Sequence, residues 1–114
     1  AACGHLLQCM MAHPEMVAGT DRLDTVLMRA AKGKLMCKAG GEAVFIAVVP
    51  EKDTVIALKA EDGAGCAAQA ALCGLLEWHR RAAAEGPVAA QPISFPTLKN
   101  WRGLEVGEIR MGTP

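Results

Sequence analysis

Apolar positions recur at three- and four-residue steps near the start of the chain, run unbroken in its middle, and return to helical spacing afterwards. His5, Leu6, Cys9, Met10 and His13 share one side of a helical wheel and predict a helix ending before Pro14. Residues 14 to 20 read as a connection. Gly19-Thr20-Asp21 then offers capping chemistry to a second helix with the stripe Leu23, Val26, Leu27 and Ala30, stopped at Gly33. Val44 to Val49 and Thr54 to Leu58 are apolar and rich in β-branched residues, with Pro50-Glu51-Lys52-Asp53 between them. This is the pattern of a buried antiparallel hairpin, and Leu35 to Lys38 adds a short strand before it. Asp62-Gly63 closes the second strand and can cap a long helix over Ala64 to Ala84. Ala67, Ala68, Ala71, Leu72, Leu75, Leu76 and His79 form its apolar face, and Gly65, Cys66, Cys73 and Gly74 let it lie close to a sheet. Pro87, Pro92 and Pro96 mark a linker, Asn100-Trp101-Arg102-Gly103 a turn, and Leu104 to Ile109 a final strand. The order α-α-β-β-α-β predicts an α+β fold with helices packed on a small antiparallel sheet. It is read as one segment, 1–114: two helices over 1–33, the hairpin over 34–60, the long helix over 61–84, and linker plus tail strand over 85–114.

Composition narrows the function classes. A chain of 114 residues that is 52% hydrophobic can build a core and is not a disordered protein. Twelve basic and twelve acidic residues cancel to a net charge of +0, which leaves no electrostatic footprint for nucleic acid or an anionic membrane. No stretch approaches the roughly 20 apolar residues of a membrane span, and no positively charged leader precedes the first apolar residues. The five cysteines are odd in number and include no Cys-x-x-Cys, so small buried thiols in a reducing, cytoplasmic compartment are expected. The start Ala1-Ala2-Cys3, directly in helix-like sequence, suggests a piece of a longer protein.

Lys38 is the foremost candidate for chemistry. It stands in Lys38-Ala39-Gly40-Gly41, where a strand edge meets two glycines, and a missing Cβ lets a substrate approach the backbone. A lysine partly desolvated there, beside Lys34, could accept a proton or hold a carboxylate; a solvated lysine before a turn has the same pattern. Asp62 could meet a substrate ammonium or simply cap the helix after it. His5 and Cys9, four apart, could share a metal, but two ligands do not make a structural zinc site and core packing explains them as well. His13 suits a helix end, Cys66 and Cys73 the core, and Lys32, Lys34 and Lys38 a helix C-terminal charge cluster. Trp78 and Trp101 are too far apart for a stacking platform. No phosphate-binding loop, dinucleotide fingerprint, His-Glu-x-x-His or Gly-x-Ser-x-Gly occurs.

Five blocks in order carry a resemblance: Ala12-His13-Pro14-Glu15-Met16-Val17-Ala18-Gly19-Thr20 with Arg22 to Ala30; Cys37-Lys38-Ala39-Gly40-Gly41-Glu42; Ala57-Leu58-Lys59-Ala60-Glu61-Asp62-Gly63; Asn100-Trp101-Arg102-Gly103; and Val106-Gly107-Glu108-Ile109-Arg110. Together they resemble the C-terminal third of the rhizobial-type L-asparaginase II family. The resemblance implies a partial serine-β-lactamase-like fold and hydrolysis of L-asparagine to L-aspartate and ammonia by a serine in a Ser-x-x-Lys motif. It matches a second site lysine, in a Lys-x-Gly setting, to Lys38, with Gly40, Gly41 and Asp62 as substrate-binding candidates. No Ser-x-x-Lys occurs here, because the single serine, Ser94, is followed three positions on by Thr97. Some members bind zinc near the site through a cysteine where this chain has Asp24; the other ligands have no counterpart, so no cofactor or metal is expected.

A partial sheet of this kind leaves a strand edge unpaired, and an apolar edge such as Val44 to Val49 invites another chain. The expected partners are therefore L-asparagine and either a complementary N-terminal polypeptide or further copies of this chain. Neither nucleic acid nor a membrane is expected. A different reading is a non-catalytic orphan fragment or interaction module on the same scaffold, and a third is a glutaminase-like or β-lactamase-like relative with another amide substrate.

Overall fold

The computed structural model describes residues 2–82, 97–110 and 112. Its elements are α1 (Ala2–Ala12), α2 (Pro14–Ala18), α3 (Leu23–Ala31), β1 (Met36–Ala39), β2 (Val44–Val49), a 3-10 turn (Pro50–Lys52), β3 (Thr54–Lys59), α4 (Gly65–Ala82), β4 (Thr97–Lys99) and β5 (Glu105–Glu108). The fold is α+β, with four α-helices and two small antiparallel sheets among the described residues.

The N-terminal part holds three helices rather than two. Pro14, at the first position of a helix where its missing N–H costs nothing, starts α2 in what reads as a connection. Asp21 does not cap α3: it adopts a left-handed conformation at φ +57°, and Arg22 precedes the helix without a side-chain cap. The buried Thr25 ties the corner instead. Its hydroxyl donates to the carbonyl oxygens of Gly19 at 2.6 Å and Pro14 at 3.3 Å, fixing α2 against α3.

The main sheet has the order β1-β2-β3, with Lys38 opposite Ile46 and Ile46 opposite Ala57. Val44–Val49 is thus the central strand, paired on both sides, and the edges are β1 and β3. The hairpin is also only half buried. Period-two alternation sends Cys37, Phe45 and Ala47 into the core with Leu23, Leu27, Met28, Leu72 and Cys73, while Ile46, Ala57 and Val55 face outward, Val55 at 63% exposure. α4 lies on β2 and β3, and α3 on β1. Of the predicted apolar face of α4, Ala68 and Leu72 are buried but Ala67 is exposed; Ala70, outside that face, is buried, and Cys66 is exposed and does not share the core with Cys73.

α1 packs through Leu7, Met10 and Met11; of the predicted stripe only Met10 meets the core, while His5, Leu6, Cys9 and His13 are exposed. Cys3, Cys9 and Cys66 are accessible and Cys37 and Cys73 are buried, against the expectation of buried thiols throughout. A thiol reagent should therefore label three of the five cysteines in the native chain and all five after denaturation, read by mass spectrometry.

At the end of α4 Glu77 accepts from Arg80 Nη2 at 2.5 Å, from Arg80 Nε at 2.7 Å and from Arg81 Nε at 2.8 Å. These guanidinium bonds lower its carboxyl from 4.5 to about 2. The stabilisation is complete above pH 4.5 and is lost as pH falls through about 2. Glu77→Gln should remove that part of the acid sensitivity, measured as the thermal midpoint of both forms across this window.

The tail forms a hairpin of two strands, β4 and β5, where one strand is expected. Asn100 builds its turn: Oδ1 accepts from the N–H groups of Arg102 and Leu104, each at 3.0 Å, and Gly103 takes φ +77°. The expected linker and the last residues of the long helix lie outside the described residues.

Candidate functional site

Antiparallel pairing puts the C-terminal end of β1, the start of β2 and the end of β3 at one end of the sheet. Lys38 lies in the outer strand there, exposed, and its Nζ donates to the Ala39 carbonyl at 2.6 Å. Beyond it the chain turns through Gly40–Ala43, where Gly40 N–H donates to Val44 O at 2.8 Å. A Cβ on Gly40 would come within 3.3 Å of the Val44 Cβ and crowd the turn; a Cβ on Gly41 would meet open space. Glu42 and Ala43 complete the turn in the left-handed region, at φ +52° and +59°.

The loop after β3 packs beside this turn. Ala60 N–H donates to Ala43 O at 3.1 Å, and Lys59 Nζ to Glu42 O at 3.0 Å. Asp62 stands in that loop, exposed, with Oδ1 accepting from Ala64 N–H at 2.9 Å. Asp62 thus orders the turn that leads into α4 rather than capping one of the helix's own N–H groups, which is where the capping reading puts it. The fold gathers Lys38, Gly40, Gly41 and Asp62 at the same end of the sheet, on two adjoining loops and the strand that feeds them.

Sequence reasoning passed over Asp24 as a structural residue. The side chain is 1% exposed in the first turn of α3, and Oδ2 accepts from Ala39 N–H at 2.6 Å. Gly40 N–H points into the ladder toward β2, so the N–H of Ala39 points outward along the free edge, and Asp24 takes it. The buried carboxylate thus fastens α3 to the strand beside Lys38 and guards that edge against pairing. The one sequence hint is that Asp24 stands four residues before Met28, on the buried side of α3; its backbone partner has no sequence signature. Cys37 lies in the same strand, on its buried face. Burial pushes its thiol up to about 12, with the negative charge of Asp24 adding to the effect.

Asp24 Oδ2 is engaged by the Ala39 amide. Among the described residues no three His, Cys, Asp or Glu side chains gather around one point. A separate groove of about 530 Å³ runs between the end of α1, α2 and α3, over Met11, Pro14 and Met28, with Glu15 and Arg29 paired at 3.3 Å on its rim. It includes none of the four candidate residues. Among the described residues no helix is long and apolar enough to cross a membrane.

No curated protein matches the chain. A family model does, that of L-asparaginase II, over residues 1–111. The match covers Lys38, its glycine turn, the Asp62 loop and both hairpins, and the chain therefore belongs to the L-asparaginase II family.

Proposed function

We propose that this chain is the C-terminal part of an L-asparaginase that hydrolyses L-asparagine to L-aspartate and ammonia. In this reading Lys38 supplies an amine to a site whose serine nucleophile stands on another polypeptide, within a serine-β-lactamase-like scaffold. The observation that carries the reading is the position of Lys38: exposed on an outer strand, at the end where the Gly40–Ala43 turn and the Asp62 loop meet, in a chain of this family.

The chemistry follows from those groups. Nζ leaves the Ala39 carbonyl and turns toward the incoming serine. As the neutral amine it accepts the hydroxyl proton while the serine oxygen attacks the amide carbon; as the ammonium it stabilises the developing oxyanion. Ammonia then leaves with the hydroxyl proton, passed to the amide nitrogen as the C–N bond breaks, and water releases aspartate from the acyl-serine and returns the proton to the serine oxygen. Asp62 keeps a carboxylate oxygen for the substrate ammonium, and Gly41 lets the substrate lie against the backbone.

The outward apolar residues support an assembly with a complementary N-terminal polypeptide or with further copies. Ile46 and Val55 on the main sheet and Trp101, at 93% exposure, on the tail hairpin all want covers. Five free thiols suit a cytoplasmic setting. One sequence fact favours a second reading, a non-catalytic interaction module: the only serine, Ser94, lacks its lysine partner.

Co-production of this chain with a polypeptide carrying the Ser-x-x-Lys part of the family separates the two. The asparaginase reading expects ammonia and aspartate from L-asparagine only when both are present. Complex formation without product would leave the module reading.

A further inference from the structure

A second cluster lies outside the site described above. His5 and Cys9 stand one turn apart on α1, both exposed, with Nε2 and Sγ 3.7 Å from one another. The core does not need either side chain, because α1 packs through Leu7, Met10 and Met11. A tetrahedral ion bonded to thiolate sulfur at about 2.3 Å and to imidazole nitrogen at about 2.0–2.1 Å holds those donors about 3.6 Å apart. The helix thus presents its two donors at nearly the separation such an ion demands.

We propose that His5 and Cys9 form a two-donor site for a thiophilic divalent cation of the zinc and cobalt class on the outer face of α1. A thiolate with an imidazole selects borderline-soft ions over magnesium and calcium, which take oxygen ligands. On binding, Cys9 gives up its proton to solvent, the sulfur lone pair and the free Nε2 lone pair bond the ion, and water fills the two remaining positions. One proton is released per ion, with no change of oxidation state. The site is independent of the Lys38 end of the sheet and of the asparaginase reading.

Cobalt(II) titrated into the reduced chain under anaerobic conditions tests it. The expected result is one ion per chain, a near-ultraviolet thiolate-to-cobalt charge-transfer band, release of one proton, and displacement by zinc. His5→Ala and Cys9→Ser should each weaken binding by at least about tenfold. Both should keep the circular dichroism of the parent, since neither side chain packs in the core. Cys3→Ser and Cys66→Ser, which alter the other exposed thiols, should bind as the parent does. Absence of the charge-transfer band, binding that survives both His5→Ala and Cys9→Ser, or binding that is lost with Cys3 or Cys66 instead, would overturn the site.

Discussion

Lys38→Ala should lower asparagine turnover by about 10²–10⁴-fold in the enzyme assembled from this chain and its serine-bearing complement, the range expected when a proton-transfer group is removed. The fold should be unaffected. Lys38 is exposed and its amine touches the neighbouring Ala39 carbonyl, so truncation opens no cavity and orphans no buried group. Lys38→Arg then divides the two roles open to the amine. Arginine keeps a positive charge for an oxyanion but has no lone pair near neutral pH. Near-parental kcat in Lys38→Arg assigns charge stabilisation, and loss as deep as in Lys38→Ala assigns proton transfer. Parental kcat in Lys38→Ala would remove the residue from the reaction.

The second large effect falls on stability, at Asp24. Asp24→Ala deletes the acceptor of the Ala39 N–H, leaves that edge amide without its partner, and opens space under β1. A hydrogen bond to a charged group and the desolvation left behind together set the expected loss at about 2–3 kcal/mol. That is a large share of the ~5–15 kcal/mol typical of a small domain. Urea unfolding should show a lower midpoint with the slope unchanged. Hydrogen exchange at Ala39 should speed up at least about tenfold, because its N–H loses the acceptor that protects it. Asp24→Asn keeps a carbonyl oxygen at the same place and should cost less than Asp24→Ala. Equal stability of Asp24→Ala and the parent would contradict the clamp.

These residues also show what the sequence could and could not disclose. The strands of the main sheet were legible because the cues are local: apolar runs of strand length on either side of Pro50-Glu51-Lys52-Asp53, which folds as a 3-10 turn with Asp53 left-handed at φ +48°. The long helix was legible for the same reason. Which strand is central was not, because an unbroken apolar run fits either an edge or a middle position. The apolar runs predict a wholly buried hairpin, whereas one face of Val44–Val49 and Thr54–Lys59 is turned outward. On α1 the error was one of phase. Two stripes fit its spacing, and the helix packs through Leu7, Met10 and Met11, leaving His5 and Cys9 free for other work.

At the site, Lys38 and its glycines were legible as a strand rim, and Asp62 as a residue of the loop before α4. That they share one end of the sheet was not, because it depends on the register of three strands. Asp24 escaped notice for a different reason. Its partner is a backbone amide fifteen residues away, and a main-chain N–H leaves no mark in a sequence.

The central claim is that Lys38 faces a pocket completed by another polypeptide. Amine acylation read by mass spectrometry tests it most directly, with Lys32 and Lys34 on the same chain as internal references. In this chain alone Lys38 should label as freely as the two references. In the complex with the serine-bearing polypeptide its labelling should fall by at least about tenfold relative to them, and fall further with L-aspartate present. Undiminished labelling of Lys38 in a complex shown to be formed would contradict the account.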